Sequence, residues 1–152
     1  MTAMDRKIVL TVFTDPMMGF SYESEPILER LQKEYAGRIE IRYVMCLLVR
    51  DVADFMTPEE RMMEPDAGIR RYCARLAEIY RSEESVGGLP ICMNGFCLFD
   101  AAHRSSRPLN LAYKAAQLSA PEKADEFLKA LRHATVPRCR PTTRFEEILS
   151  VV

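Results

Sequence analysis

The chain has few histidines, no closely paired cysteines, no long apolar run and no block of one charge. With only His103 and His133, a zinc site would need ligands gathered from distant segments, so no metal is expected. The five cysteines, Cys46, Cys73, Cys92, Cys97 and Cys139, include no C-x-x-C spacing. An odd, scattered set is not a disulfide framework, and small buried thiols in a reducing compartment are the expectation. No apolar run reaches the roughly 18 residues of a membrane span. The run Ile8 to Phe13 is too short for a signal peptide's apolar region, and no small-residue cleavage site follows it. A cytoplasmic chain without a membrane partner is therefore expected. The 21 basic and 22 acidic residues are interspersed, and without a basic stripe nothing favours nucleic acid. Internal repeats and low-complexity linkers are also missing.

What is present is a core's worth of apolar residues, nearly half of 152, which fits one domain or one domain with an insertion. "KIVLTVF" (7–13) is β-branched and stops at Asp15-Pro16, as a buried strand would. Ile27, Leu28, Leu31 and Tyr35 recur at helical spacing, with Gly37 as the stop and Glu29–Lys33 as an outer i,i+4 pair. "RIEIRYVM" (38–45) alternates apolar and charged residues, so a second strand with one wet face follows. Strand, helix and strand make a βαβ unit with a right-handed crossover.

After Val52 the period is helical. "TPEE" (57–60), "SAPE" (119–122) and Thr143 with Glu146 read as capping boxes, and Asp66 as a cap. Ile69, Tyr72, Cys73, Leu76, Ile79 and Tyr80 form one stripe. Ala124, Phe127, Leu128 and Leu131 face inward, and Phe145, Ile148, Leu149 and Val152 line one face. Met56, Met62 and Met63 fill core gaps or form a peptide surface. Cys46 and Cys73 are expected to be buried and reduced, with no bridge between Cys92 and Cys97.

The turn "DPMMGFSYESEP" (15–26) stands where a strand passes into a helix. A cysteine there would gain from the free N–H groups and the positive end of the helix dipole, which stabilise a thiolate. Two starts are open for the helix: Ser24 as N-cap with Pro26 in the first turn, or a start near Met18 with a kink at Pro26. Asp15 is a turn-former or an acid–base group. Glu23 and Glu25 read as solvated first-turn carboxylates, and Met17, Met18 and Phe20 as core.

"FTDPMMGFSYESEPIL", together with "RIEIRYVMCLLVRDVADFM" and "RSSRPLNLAYKAAQLSAPEKADEFLKALRHATV", resembles in order the DsbA-like thioredoxin-fold family of predicted dithiol–disulfide isomerases. The resemblance covers most of residues 8 to 135. It implies an α/β fold: a thioredoxin-like N-terminal half over 1–52, and a large helical insertion over 53–152. The family's two cysteines fall on Met18 and Ser21, lined by Asp15, Pro16, Met17, Gly19 and Phe20. Neither a thioether nor a hydroxyl can exchange disulfides, so the site is redox-inactive as written. The resemblance implies no cofactor and a protein or peptide partner. Two functions follow: a degenerate thiol–disulfide oxidoreductase, or a binding module without redox chemistry.

The sheet is expected to be incomplete, because the chain stops at Val151-Val152 inside an apolar helical pattern without a cap. An unpaired edge would then favour a homodimer. The rival reading takes Pro90 as a cis-proline and "GGLPICMNGFCLF" (87–99), with its Asn94-Gly95 turn, as a closing hairpin.

Overall fold

A computed structural model describes residues 7–91, 95 and 97–151. The β-branched first segment forms β1 (Ile8–Thr14), and the alternating one forms β2 (Ile39–Met45). They pair in parallel, Ile8 opposite Ile39 through Thr14 opposite Met45. Between them the chain builds α1 (Gly19–Glu23) and α2 (Glu25–Glu34). Each of the two expected helix starts is half right. The helical run begins behind Met18 and is interrupted at Ser24, because Pro26 has no N–H to give to the preceding turn. Ser24 keeps a helical backbone, and its N–H still reaches the Phe20 carbonyl at 3.1 Å.

The helical part comprises α3 (Pro58–Met62), α4 (Pro65–Gly87), α5 (Arg107–Ser119), α6 (Ala124–Thr135) and α7 (Phe145–Leu149). The Thr57–Glu60 capping box forms as read. The other two boxes do not. Ser119 Oγ back-bonds to the Ala115 carbonyl inside α5, and Thr143 Oγ1 is committed to the Leu98 carbonyl. Glu64, not Asp66, caps α4, since Asp66 is held by the Ala101 N–H.

The main core is built on α4. Ile69, Tyr72, Cys73, Leu76, Ala77 and Tyr80 pack with Met17, Tyr22, Val52, Leu98, Phe99 and Val136. Ile79 is not part of this stripe and is half exposed, as is Ile27; Leu149, Phe145 and Met62 are more exposed still. Met56 is the core methionine of its trio. Glu29 pairs across to Lys129 of α6 rather than with Lys33. Gly87 lets α1 approach the end of α4, since a Cβ there would stand 2.0 Å from the Glu23 carbonyl oxygen. Gly88 then closes α4 in the left-handed conformation, φ 73°.

Among the described residues the sheet has two strands and no peptide bond is cis. Pro90 is therefore not a cis-proline, and Leu98 and Phe99 enter the core from a loop instead of pairing with β1. Cys92 and Asn94 lie outside the described residues, and with them the expected hairpin turn and the Cys92–Cys97 question. Two strands alone are marginal; here Tyr43 and Met45 of β2 pack against Tyr113, Ala124 and Leu128 of α5 and α6. No helix among the described residues is long and apolar enough to cross a membrane.

Candidate functional site

The strand-to-helix turn is fixed by Asp15, which is fully buried. Its Oδ1 accepts the Met17 N–H at 3.1 Å, closing an Asx turn ahead of the helix. Its Oδ2 accepts three further bonds, from the Leu48 N–H at 2.9 Å, Ser106 Oγ at 2.7 Å and Asn110 Nδ2 at 2.7 Å. Asp15 is thus the turn-former of the two readings, and also the post on which β1, the loop after β2 and the start of α5 meet. Pro16 and Met17 are buried beside it, and the Tyr80 hydroxyl of α4 donates to the Met17 carbonyl.

Met18 is half buried at the N-cap of α1, Gly19 is buried and Phe20 stands half exposed. Ser21 Oγ lies 3.1 Å from Met18 Sδ, so the two residues on which the resemblance places the cysteine pair are in contact. A polar line runs back from them. Arg132 Nη2 donates to Thr14 Oγ1 at 3.1 Å, and Thr14 Oγ1 donates to Ser21 Oγ at 2.8 Å. Ser21 is left with its proton for the thioether sulfur. The arrangement orients a hydroxyl toward sulfur but offers no thiolate and no leaving group.

The carboxylates of the turn are not solvated. Glu23 is fully buried and accepts the Gly87 and Leu89 N–H groups at 3.0 and 3.1 Å. Glu25, also buried, pairs with Arg132 at 2.9 Å and with His133 at 2.7 Å. Packing of α1 and α2 against α4 and α6 replaces the water that the sequence pattern led one to expect. Burial, and then the charge of Glu23, raise the Glu83 carboxyl, which sits against Gly19. Cys46 is exposed, contrary to expectation, because the chain leaves the sheet there and Leu47 turns it away at φ 49°. Partial desolvation by its neighbours, and then the charge of Asp15, still raise its thiol pKa. Cys73 is buried, as expected, and takes part in no disulfide among the described residues. His103 faces Asp100 at 2.8 Å, away from the turn. No group of three acidic, histidine or cysteine residues suited to a metal occurs among the described residues.

Sequence reasoning missed Ser106, Asn110, Arg132, Tyr80 and Glu83 as neighbours of the turn. Ser106 and Asn110 sit inside "SSRPLNLAYKAAQ", whose resemblance to the family was the one available signal. The others carry no local mark, since they meet the turn only through packing.

A parallel βαβ start whose first strand enters its helix at an Asp-Pro turn, followed by a long helical segment, defines a thioredoxin-like fold of the DsbA type. A family model described as thioredoxin matches residues 11–152, and the chain belongs to that family. The fold is similar to that of a candidate protein disulfide isomerase from Nitrosomonas europaea, with 18% identity and a TM-score of 0.70. That alignment covers 96% of this chain and 63% of the other, so the chain spans less than two thirds of its neighbour's length. A 2-hydroxychromene-2-carboxylate isomerase aligns more loosely, at 16% identity and a TM-score of 0.49, over 89% of this chain and 60% of the other. No curated protein matches the sequence.

Proposed function

We propose that this chain is a cytoplasmic thioredoxin-fold binding protein whose turn has lost dithiol exchange. It holds an extended peptide or protein segment without redox chemistry at the turn. The Met18–Ser21 contact carries the reading: the two positions that would hold the cysteine pair hold a thioether and a hydroxyl, 3.1 Å apart. The open edge of β1 supports the binding half. Ile8 N–H and the Thr14 carbonyl bond across to the β2 side, which turns the N–H and carbonyl groups of Val9, Thr11 and Phe13 to the other edge. No described strand pairs with that edge, and the Ile8, Val9 and Phe13 side chains are exposed. An extended peptide adds there as a further strand, leading toward Met18 and Phe20.

Two measurements test this. In an insulin-reduction assay the protein, and its Cys97→Ser variant, give no turnover above a dithiothreitol control. Labelled insulin B chain with its thiols carboxymethylated nevertheless binds, as read by fluorescence anisotropy. Thr11→Pro removes one N–H from the open edge while leaving the β1–β2 ladder intact, and proline is tolerated on an edge. It is expected to weaken binding at least tenfold without changing the circular dichroism spectrum. Insulin reduction by the Cys97→Ser variant would overturn the loss of exchange. Unchanged binding by Thr11→Pro would overturn the edge as the docking site, and a Thr11→Pro-sensitive dimer on size exclusion would assign that edge to a second copy.

A further inference from the structure

The family turn carries no thiol, but two thiols meet elsewhere. Cys73 lies on the inner face of α4, fully buried, and Cys97 lies in the loop that crosses over it, half buried. Their sulfurs are 3.4 Å apart. A disulfide needs about 2.05 Å, so the two sulfurs must approach by about 1.4 Å to close one. Cys97 also lines a cleft of about 400 Å³, with Arg70, Ala74, Ala77, Glu78 and Arg81 from α4 and Gly95 from the loop. One thiol is therefore reachable from solvent and the other is held behind it.

We propose that Cys97 and Cys73 form a redox-active dithiol, in which Cys97 reacts with small disulfides carrying carboxylates and Cys73 resolves the product. The Cys97 thiolate attacks one sulfur of R–S–S–R. It forms a Cys97–S–S–R mixed disulfide and releases one thiolate, which takes up a proton. Cys73 loses its proton to solvent and attacks the Cys97 sulfur. The second R–S⁻ departs and a Cys73–Cys97 disulfide remains. Two electrons pass from the protein to the small disulfide, which leaves as two thiols.

The arrangement of roles follows from the surroundings. Contact with Cys73 is the largest influence on Cys97 and brings its thiol down to about 7, against burial and the charge of Asp100 and with a smaller contribution from Arg70. The same contact, and then burial, raise Cys73, which keeps it protonated until its neighbour has reacted. An attacking thiol works best when its pKa lies near ambient pH. Arg70 and Arg81 form no ion pair among the described residues and flank the cleft, where a carboxylate-bearing disulfide would sit; Glu78 narrows the choice by opposing excess negative charge. The pair is separate from the Met18 turn and stands whether or not that turn binds peptide.

The experiment uses glutathione disulfide as the probe, with peptide mapping under non-reducing conditions. Wild type is expected to yield a peptide pair linked Cys73–Cys97, and dithiothreitol should release it. Cys73→Ser is expected to stop at a stable glutathione adduct on Cys97, and Cys97→Ser to leave Cys73 unmodified. Iodoacetamide should modify Cys97 with half-maximal rate near pH 7, well before the exposed Cys46. A bridge from Cys97 to Cys92, or modification of Cys46 with Cys97 left intact, would overturn the proposal.

Discussion

Met18→Cys is expected to give the turn a thiol of depressed pKa that captures disulfides and cannot let them go. Position 18 is the N-cap of a helical run that continues through the kink at Ser24. A thiolate there faces the unpaired N–H groups of the first turn and the positive end of the dipole. Ser21 Oγ, relieved of the thioether and supplied by Thr14, is available as a donor to it. Mixed disulfides with a small aromatic disulfide should accumulate and persist, because Ser21 has no sulfur with which to resolve them. Adding Ser21→Cys should convert the trap into a catalyst, with insulin reduction rising at least tenfold over the single variant. The comparison is made in the Cys97→Ser background, and the thiol is titrated by its absorbance near 240 nm. A Met18→Cys thiol that titrates at roughly 8.5, the value of a free cysteine, would show that the helix end does not act on this position.

Asp15→Ala should be the most destabilising substitution near the turn. It takes a buried acceptor from four donors and strands two of them, the Met17 and Leu48 N–H groups; Ser106 Oγ keeps the Val49 carbonyl at 3.3 Å and Asn110 Nδ2 the Ser106 carbonyl at 2.9 Å. Buried donors left unpaired cost roughly 1–3 kcal/mol each, and rearrangement recovers part of that. A net loss of about 4 kcal/mol is expected, a large share of a domain's usual reserve of roughly 5–15 kcal/mol. For a chain of this size that corresponds to a fall in melting temperature of roughly 10 °C. Asp15→Asn keeps one oxygen and should lose about half as much. A loss of under about 1 kcal/mol for Asp15→Ala, measured by urea unfolding, would mean that the Met17 and Leu48 N–H groups find other partners and that Asp15 is no more than a local turn residue.

The parts legible in the sequence were those set by local chemistry. The strand character of the β-branched run, though not its expected burial, the alternation of β2 and the Thr57–Glu60 box each depend on residues within a few positions of one another, whereas α2 ends at Glu34, short of the expected stop at Gly37. The Asp-Pro turn lies between β1 and α1, where the strand run and the helical spacing on either side put it. What could not be read was decided at long range. Ser119 and Thr143 carry the right spacing for capping, yet closer or stronger acceptors claim their hydroxyls. Glu23 and Glu25 look like solvent-facing carboxylates until α4 and α6 close over them, with Gly87 N–H, Leu89 N–H and Arg132 supplying what water would have supplied. Cys73 and Cys97 are 24 residues apart, with no spacing to suggest that their sulfurs touch.

The clasp on Asp15 also sets a schedule for synthesis. Ser106 and Asn110 follow Asp15 by 91 and 95 residues. At translation rates of about 5–20 residues per second, the turn waits roughly 5 to 20 seconds on the ribosome before its last two fasteners have been made. Through that interval β1 and β2 can pair, but Tyr43 and Met45 of β2 lack the α5 and α6 side chains that cover them, and the loop after β2 is unmoored. The nascent chain is therefore at its most exposed to chaperone capture, or to a neighbour on the same message, before the first turn of α5 leaves the exit tunnel.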